Sequence, residues 1–212
     1  MDIASFIPTV FFTLFFIVDP LGLIPVFITC LAGYDPVRRK SMIIRATLTA
    51  IIVSVFFILL GKPLLQFLSI SHGTFLVAGG ILLFLVSMEM LMGKTSRLMM
   101  RDIQTGDPEN PMEGDVSIFP LAIPMLSGPG NIAALLMFSS QSWGDPLRLG
   151  IIILLSVSVF LIAMVVMFFS ARIEALLGSA GISVIQRLIG LILSAMSVQF
   201  IVNGLITMNV IQ

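Results

Sequence analysis

Charged side chains are scarce in this 212-residue sequence. Lys and Arg number 11 and Asp and Glu number 11, so that charged residues make up 10% of the chain. Soluble domains carry about 25% charged residues. With 58% hydrophobic residues, the composition excludes an ordinary soluble domain and predicts an integral membrane protein. The formal net charge is zero, which argues against nucleic acid as a partner because nucleic-acid-binding surfaces are basic.

Cysteine and histidine occur once each, as Cys30 and His72. One cysteine cannot form an internal disulfide, and its apolar surroundings do not suggest thiol chemistry. The sequence has no cysteine cluster and no His-Glu-x-x-His motif, so we expect no metal site and no cofactor. It also has no phosphate-binding Gly-x-x-x-x-Gly-Lys-Ser/Thr loop. No serine has a histidine base within an apolar segment, and we therefore expect neither catalytic residues nor enzyme activity. His72 itself is predicted to lie solvated in an outer loop.

Six apolar segments are each long enough to cross a bilayer as a helix, which takes about 20 residues. They are residues 3–32, 42–60, 74–93, 116–140, 149–171 and 188–210. Lys and Arg are concentrated after the first, third and fifth segments, so these loops are predicted to face the cytoplasm. Both termini are then expected outside, in the periplasm of a Gram-negative cell. The polar stretch 95–115 is predicted to be a cytoplasmic linker.

The first and fourth segments are interrupted by prolines and glycines. The first contains Asp19, Pro20, Gly22 and Pro25, and the fourth contains Pro124, Ser127, Gly128, Pro129, Gly130 and Asn131. Proline removes an amide donor and clashes with the preceding turn, so both helices are predicted to break near the membrane midplane. Irregular backbone is tolerated there only where protein or water covers it.

The two interruptions belong to an internal repeat. Residues 80–89 resemble residues 190–199, and residues 34–38 resemble residues 143–148, at an offset of about 110 residues. Each unit has three segments, so the second unit, 116–212, enters from the face opposite to the first, 1–94. The sequence therefore predicts an all-α membrane protein of two inverted three-helix repeats, a form that many secondary transporters take.

The interruptions offer groups that suit a small zwitterion. Pro20 and Pro129 fit the first position of a new helix, with Asp19 as the N-cap of the first of them. Free amides at a helix start attract a carboxylate, and Asp19 offers a negative charge to an ammonium group. Gly128 and Gly130 leave the backbone open to close approach. The predicted substrate-binding residues are Asp19, Pro20, Gly22, Pro25, Pro124, Ser127, Gly128, Pro129, Gly130 and Asn131. The alternative for Asp19 is a plain cap that contacts no substrate.

Acidic side chains within apolar segments are also candidates for coupling or gating, because a charge at membrane depth is costly and usually functional. Asp19 is one of them. Glu89 lies near the end of the third segment, and its counterpart in the second unit is the neutral Gln199. The alternative for Glu89, which we favour, is a side chain that extends to the membrane interface.

Several of these motifs resemble the MarC family, the six-segment family of small neutral amino acid transporters. The resemblance rests on Asp19 to Pro25 and on Pro120 to Pro124 followed by Ser127 to Gly130. It extends over nearly the whole chain. It implies a bacterial or archaeal cytoplasmic-membrane protein with six spans that transports glycine, alanine or serine. The family name comes from a link to multiple antibiotic resistance, which need not reflect drug transport.

We therefore predict a secondary transporter of small neutral amino acids in the bacterial inner membrane, working by alternating access. Its expected partners are the lipid bilayer, a small zwitterionic solute, and H+ or Na+ as the candidate coupling ion. The direction of transport and the oligomeric state are left open by the sequence. Two alternatives remain: a passive channel for small solutes, and a non-transporting membrane scaffold linked to stress or drug resistance.

Overall fold

The computed structural model describes residues 2–31, 34–92 and 126–210, and the elements assigned in these ranges are helices. Their bounds are α1 (Ile3–Val18), α2 (Ile24–Leu31), α3 (Pro36–Phe67), α4 (His72–Leu91) and α5 (Pro129–Gln141). A final helical run, Pro146–Thr207, contains non-helical backbone at Gly178, with φ 65° and ψ 167°. That break divides the run into α6 (Pro146–Gly178) and α7 (Ala180–Thr207). The predicted linker at 95–115 and Pro124 lie outside the described residues.

Four helices are long and apolar enough to cross a membrane, namely α3, α4, α6 and α7. Helix α1 is apolar as well, but it has only 16 residues. The described residues thus contain four candidate spans and one shorter apolar helix. This agrees with the membrane class predicted from composition, but it does not confirm the predicted count of six spans.

Helices α3 and α6 begin with the same local structure. Asp35 and Asp145 are their N-caps, and the Oδ1 of each accepts hydrogen bonds from the amides two and three residues later. The bond lengths are 2.9 Å and 2.9 Å at Asp35 and 3.1 Å and 3.2 Å at Asp145. A proline follows each aspartate, where its missing amide hydrogen costs no helical bond. Two similar short motifs therefore fold in the same way.

The boundary between α3 and α4 differs from its prediction. The apolar run ends at residue 60, but α3 continues through Lys62 and Pro63 to Phe67, so the helix extends beyond the predicted segment 42–60. The Lys62 Nζ lies 5.3 Å from the ring centroid of Trp143. His72 is the first residue of α4 and is half-buried, with Nε2 3.1 Å from the Ser140 hydroxyl. The expectation that His72 is solvated in a loop is therefore wrong.

Helix α5 lies inside the group of helices. Nine of its 13 residues are buried, compared with six of 20 in α4, so α5 is enclosed by protein on most of its surface. Its apolar side chains join those of α1, α2, α3 and α6 in one core. The most buried large side chains include Leu14, Phe27, Ile58, Leu135 and Phe160. The core thus surrounds the element that carries most of the second predicted site.

Helices α4 and α7 pack antiparallel with their backbones in close contact. A Cβ built at Gly80 would lie 2.8 Å from the carbonyl oxygen of Ser197, and one built at Gly190 would lie 3.2 Å from that of Ser87. These two contacts, spaced along both helices, fix the antiparallel arrangement. Small residues of this kind let apolar helices approach closely where a larger side chain would hold them apart.

Alanine at Gly80 should lower the thermal stability of the purified protein. The new methyl would lie 2.7 Å from Ile201 Cγ1 and 2.8 Å from the Ser197 oxygen. Overpacking of this kind costs about 2 kcal/mol, which lowers the melting temperature by about 4–8 °C in a chain of this size. Thermal unfolding in detergent measures this decrease in melting temperature.

The matched control is alanine at Gly150 in α6, because a Cβ there meets nothing within 4 Å. Alanine is favoured over glycine in a helix by about 1 kcal/mol, so this variant should melt at or above the wild-type temperature. Equal melting of the two variants would mean that the α4–α7 contact at Gly80 is not close.

Candidate functional site

The predicted interruption of the first segment is present, between α1 and α2. The amide of Asp19 donates to the Phe15 carbonyl at 2.9 Å, and its backbone is left-handed, with φ 44° and ψ 63°. This conformation is uncommon outside glycine, but aspartate tolerates it. Asp19 therefore ends α1, and residues 20–23 form a turn before α2 begins at Ile24. The assignment of Asp19 as N-cap and Pro20 as the first helical residue is wrong, because the turn comes between them and α2.

The Asp19 side chain folds back onto this turn. Its Oδ1 accepts a hydrogen bond of 3.0 Å from the Gly22 amide, and only 7% of the residue is exposed. A Cβ at Gly22 would overlap Asp19 Oδ2. Glycine at this position is thus what leaves room for the carboxylate, and the predicted pair of Asp19 and Gly22 forms one local unit.

Helix α7 supplies a partner to the same turn. The side-chain amide of Gln186 donates from Nε2 to the Gly22 carbonyl at 2.5 Å. A backbone carbonyl away from water needs such a donor. The sequence analysis did not single out Gln186, because it lies 164 residues from Gly22 and outside the predicted sixth segment. This bond ties the first interruption to the second half of the chain.

The second interruption is described from residue 126 onward. Helix α5 begins at Pro129 with Gly128 as its N-cap, as predicted. The Gly128 carbonyl accepts the first helical bond, from Ile132, at 3.0 Å. Glycine has no side chain with which to cap the helix, and among the described residues no other side chain makes a cap bond there. The first amides of a helix have no partners within it, so this helix start presents donors and the positive end of its dipole.

Three buried polar side chains lie beside this helix start, and we call them the polar cluster: Ser54 of α3, Ser127 and Asn131. The Ser54 and Ser127 hydroxyl oxygens are 3.3 Å apart, and Asn131 Nδ2 lies 3.5 Å from Ser54 Oγ. Their exposed fractions are 0%, 1% and 2%. Asn131 Oδ1 has no hydrogen-bond partner in the described part of the chain. A buried polar atom without a hydrogen-bond partner is rare and calls for an explanation.

Ser54 was not predicted to be a site residue. A serine within an apolar helix usually bonds to the carbonyl one turn earlier, as Thr47 does to Ile43 at 2.9 Å in the same helix. The sequence therefore gives no sign that Ser54 faces Asn131, which lies 77 residues away.

Glycines also set the position of α5 against α4. A Cβ at Gly130 would overlap the Leu83 side chain, and a Cβ at Gly79 would overlap that of Ala133. The first turns of α5 are therefore held against α4 at close range. Gly130, which was predicted to bring substrate near the backbone, is in contact with Leu83.

The predicted binding residues fall into two hydrogen-bonded groups. Asp19 and Gly22 form one with Gln186, and Ser127 and Asn131 form the other with Ser54. Within residues 2–31, 34–92 and 126–210 no hydrogen bond joins the two groups. Pro20 lies in the first turn, and the half-buried Pro25 lies in α2, where its carbonyl accepts from Thr29 at 2.9 Å.

The predicted gating residues Glu89 and Gln199 make no hydrogen bond to either group within the described part of the chain. Glu89 is half-buried, and its Oε2 is enclosed and without a hydrogen-bond partner among the described residues. Gln199 is exposed and donates to Asn203 on its own helix at 2.8 Å. The bonding of these two side chains does not place either one at the interruptions.

Four candidate spans, one shorter apolar helix and buried polar side chains at the interruptions define a multi-pass integral membrane protein. A family model described as "MarC family integral membrane protein" matches residues 4–209. The chain belongs to the MarC family, and the resemblance found in the motifs is confirmed.

Relatives of similar length support this membership. A UPF0056 membrane protein of Pyrococcus abyssi is 34% identical over 192 residues, covering 91% of this chain and 90% of that protein. One of Archaeoglobus fulgidus is 34% identical over 209 residues, covering 97% and 96%. The UPF0056 inner membrane protein YhgN of Escherichia coli K12 is 32% identical over 193 residues, covering 91% and 92%. No solved structure matches the chain.

Alanine at Gly22 should destabilise the protein by displacing the Asp19 carboxylate, because the new methyl would overlap Oδ2. We expect a cost of about 1–3 kcal/mol, measured by thermal unfolding in detergent. In an Asp19→Gly background the same change should cost little, because the overlapping atoms are gone. The four proteins form a double-mutant cycle, and equal costs in both backgrounds would contradict the contact.

Proposed function

We propose that this MarC-family protein is a secondary transporter of small neutral amino acids and not an enzyme. The observation that carries the proposal is the interruption between α1 and α2, with the buried carboxylate of Asp19 at its centre. An acidic group within an apolar bundle is costly and usually functional. Irregular backbone at membrane depth is tolerated only where it is buried in protein or lines a cavity.

The chemistry at the two interruptions fits a zwitterion. The open start of α5 supplies amide donors to a carboxylate, and Asp19 supplies a negative charge to an ammonium group. The neighbouring side chains Ser54, Ser127 and Asn131 are small and neutral. Such a site favours glycine, alanine or serine over larger or charged amino acids.

Two contacts between α4 and α7 support the proposed inverted repeats, 1–94 and 116–212. The contact of Gly80 with Ser197 becomes the contact of Gly190 with Ser87 when each residue is replaced by its repeat counterpart. A two-fold axis between the two helices would produce this exchange. The same offset relates the N-caps Asp35 and Asp145. In the proposed mechanism, alternating access comes from rocking of one unit against the other.

We further propose that the protein lies in the bacterial inner membrane with both termini outside. Four basic residues lie at the start of α3, where they favour the cytoplasmic side: Arg38, Arg39, Lys40 and Arg45. The relative YhgN is described as an inner membrane protein. The lipid bilayer, a small zwitterionic solute, and H+ or Na+ as coupling ion are the proposed partners.

Purified protein in liposomes should take up labelled glycine or alanine with saturation, and unlabelled amino acid inside should stimulate the uptake. Asp19→Ala should reduce uptake about tenfold or more, because losing the partner of a desolvated charge costs about 2 kcal/mol or more. The matched control is Asp2→Ala, which removes an exposed aspartate and should leave uptake unchanged. Comparison with and without proton or sodium gradients tests the coupling ion.

The other outcomes identify the alternatives. Flux that neither saturates nor responds to internal substrate would indicate a passive channel. Absence of both uptake and amino acid binding in the wild type would indicate a scaffold. Full uptake by Asp19→Ala would remove Asp19 from the proposed mechanism.

A further inference from the structure

The two interruptions differ in whether a side chain of the protein accepts a hydrogen bond from their backbone amides. In the first, the Oδ1 of Asp19 accepts from the amide of Gly22, three residues later. In the second, the N-cap of α5 is Gly128, and no side chain of the described residues makes a cap bond there. The turn of the first interruption thus carries a carboxylate of the protein itself, whereas no described side chain caps the start of α5.

We infer that the start of α5 is the carboxylate subsite of the transporter, with the polar cluster as its wall. The substrate's carboxylate accepts hydrogen bonds from the first amides of α5, as the Asp19 carboxylate accepts from the Gly22 amide in the turn 20–23. This inference rests on the proposed transport function. It adds Ser54 of α3 as a substrate-binding residue, so that residues from both halves of the chain hold one carboxylate.

The polar cluster points to a ligand independently of the helix start. Asn131 is 2% exposed and lies three residues after Gly128, yet its Oδ1 has no hydrogen-bond partner among the residues that the structure describes. Rotation about the Cβ–Cγ bond exchanges Oδ1 and Nδ2, since the two ends of an amide are similar in size. In the rotated form Oδ1 accepts from the Ser54 hydroxyl, and the free amide nitrogen donates to the bound group.

The charge around the cluster favours an anion over a cation. Its three side chains, Ser54, Ser127 and Asn131, are neutral, and each can donate a hydrogen bond. Helix α5 is 13 residues long and directs the positive end of its dipole here. A cation at this position would face that positive end without a neutralising carboxylate from the cluster.

A carboxylate subsite makes a distinct demand on the substrate. Alaninamide has the size, shape and ammonium group of alanine but lacks the negative charge. It should therefore compete poorly with labelled alanine for uptake by wild-type protein in liposomes. Competition by alaninamide as strong as that by unlabelled alanine would overturn the inference.

The decisive variant is Asn131→Asp, which changes charge while keeping shape. A carboxylate at this position would repel the carboxylate of the substrate, so uptake of labelled alanine should fall tenfold or more. If the cluster held a cation instead, the added negative charge would preserve or strengthen uptake and raise its dependence on Na+. That result would overturn the carboxylate subsite.

Ser54→Ala tests the residue contributed by α3 and should raise the KM for alanine several-fold. The matched control is Ser139→Ala in α5, because Ser139 is also 0% exposed, but its hydroxyl donates to the Leu136 carbonyl of its own helix. Its KM should equal that of the wild type. An unchanged KM in Ser54→Ala would remove Ser54 from the site.

Gly128→Asp tests whether a carboxylate supplied by the protein itself at the start of α5 blocks the subsite. The backbone at Gly128 is extended, with φ −70° and ψ 170°, and aspartate is a favoured N-cap. The variant should melt at or above the wild-type temperature and yet transport no alanine, because its own carboxylate fills the subsite. Normal uptake by this variant would contradict the inference.

These experiments separate the inference from the function on which it rests. Lack of alanine uptake by the wild type would reject the proposed transport function itself. Normal wild-type uptake together with unaffected Asn131→Asp and Ser54→Ala variants would leave transport standing and reject only the subsite.

Discussion

The structure depends on satisfying backbone hydrogen bonds in apolar surroundings. Where α1 stops, four groups find partners within one turn of chain. The amide of Asp19 bonds to Phe15, its carbonyl accepts from Leu23, its carboxylate accepts from Gly22, and the Gly22 carbonyl accepts from Gln186. An unpaired group in such a place costs about 1–3 kcal/mol. This requirement explains why the interruption contains an aspartate and a glycine and why a glutamine of α7 bonds to it.

The second interruption satisfies the same requirement less completely. Within the described ranges, Asn131 Oδ1 has no hydrogen-bond partner, and the start of α5 has no side-chain cap. For stability alone, an aspartate at residue 128 would cap the helix somewhat better than glycine does, by roughly a few tenths of a kcal/mol. Incomplete pairing at a buried place costs stability, and such costs are characteristic of binding sites. The asymmetry between the two interruptions is therefore the strongest structural argument for a ligand.

The sequence predicted the features that depend on local chemistry. Proline, glycine and aspartate act within a few residues, so the interruption at Asp19 and the start of α5 at Pro129 were both located correctly. Tertiary contacts were not predictable in this way. Gln186 and Ser54 reach partners 164 and 77 residues away, and no local pattern marks them. The left-handed backbone at Asp19 was also missed, because aspartate suits both an N-cap and a left-handed position.

Helix α4 connects the two features on which transport would depend. One of its faces meets α7 through Gly80, where a carbonyl oxygen lies too close for any side chain, and another meets α5 through Gly79 and Leu83. Contacts without intervening side chains have little freedom to repack, so α4 and α7 cannot slide past each other without separating. Rocking about this contact would carry α4 with it, and α4 would in turn move the start of α5. The motion that opens the site to one side of the membrane or the other would thereby also move the polar cluster. Asn131 lies on the first turn of α5, and α5 packs against α4.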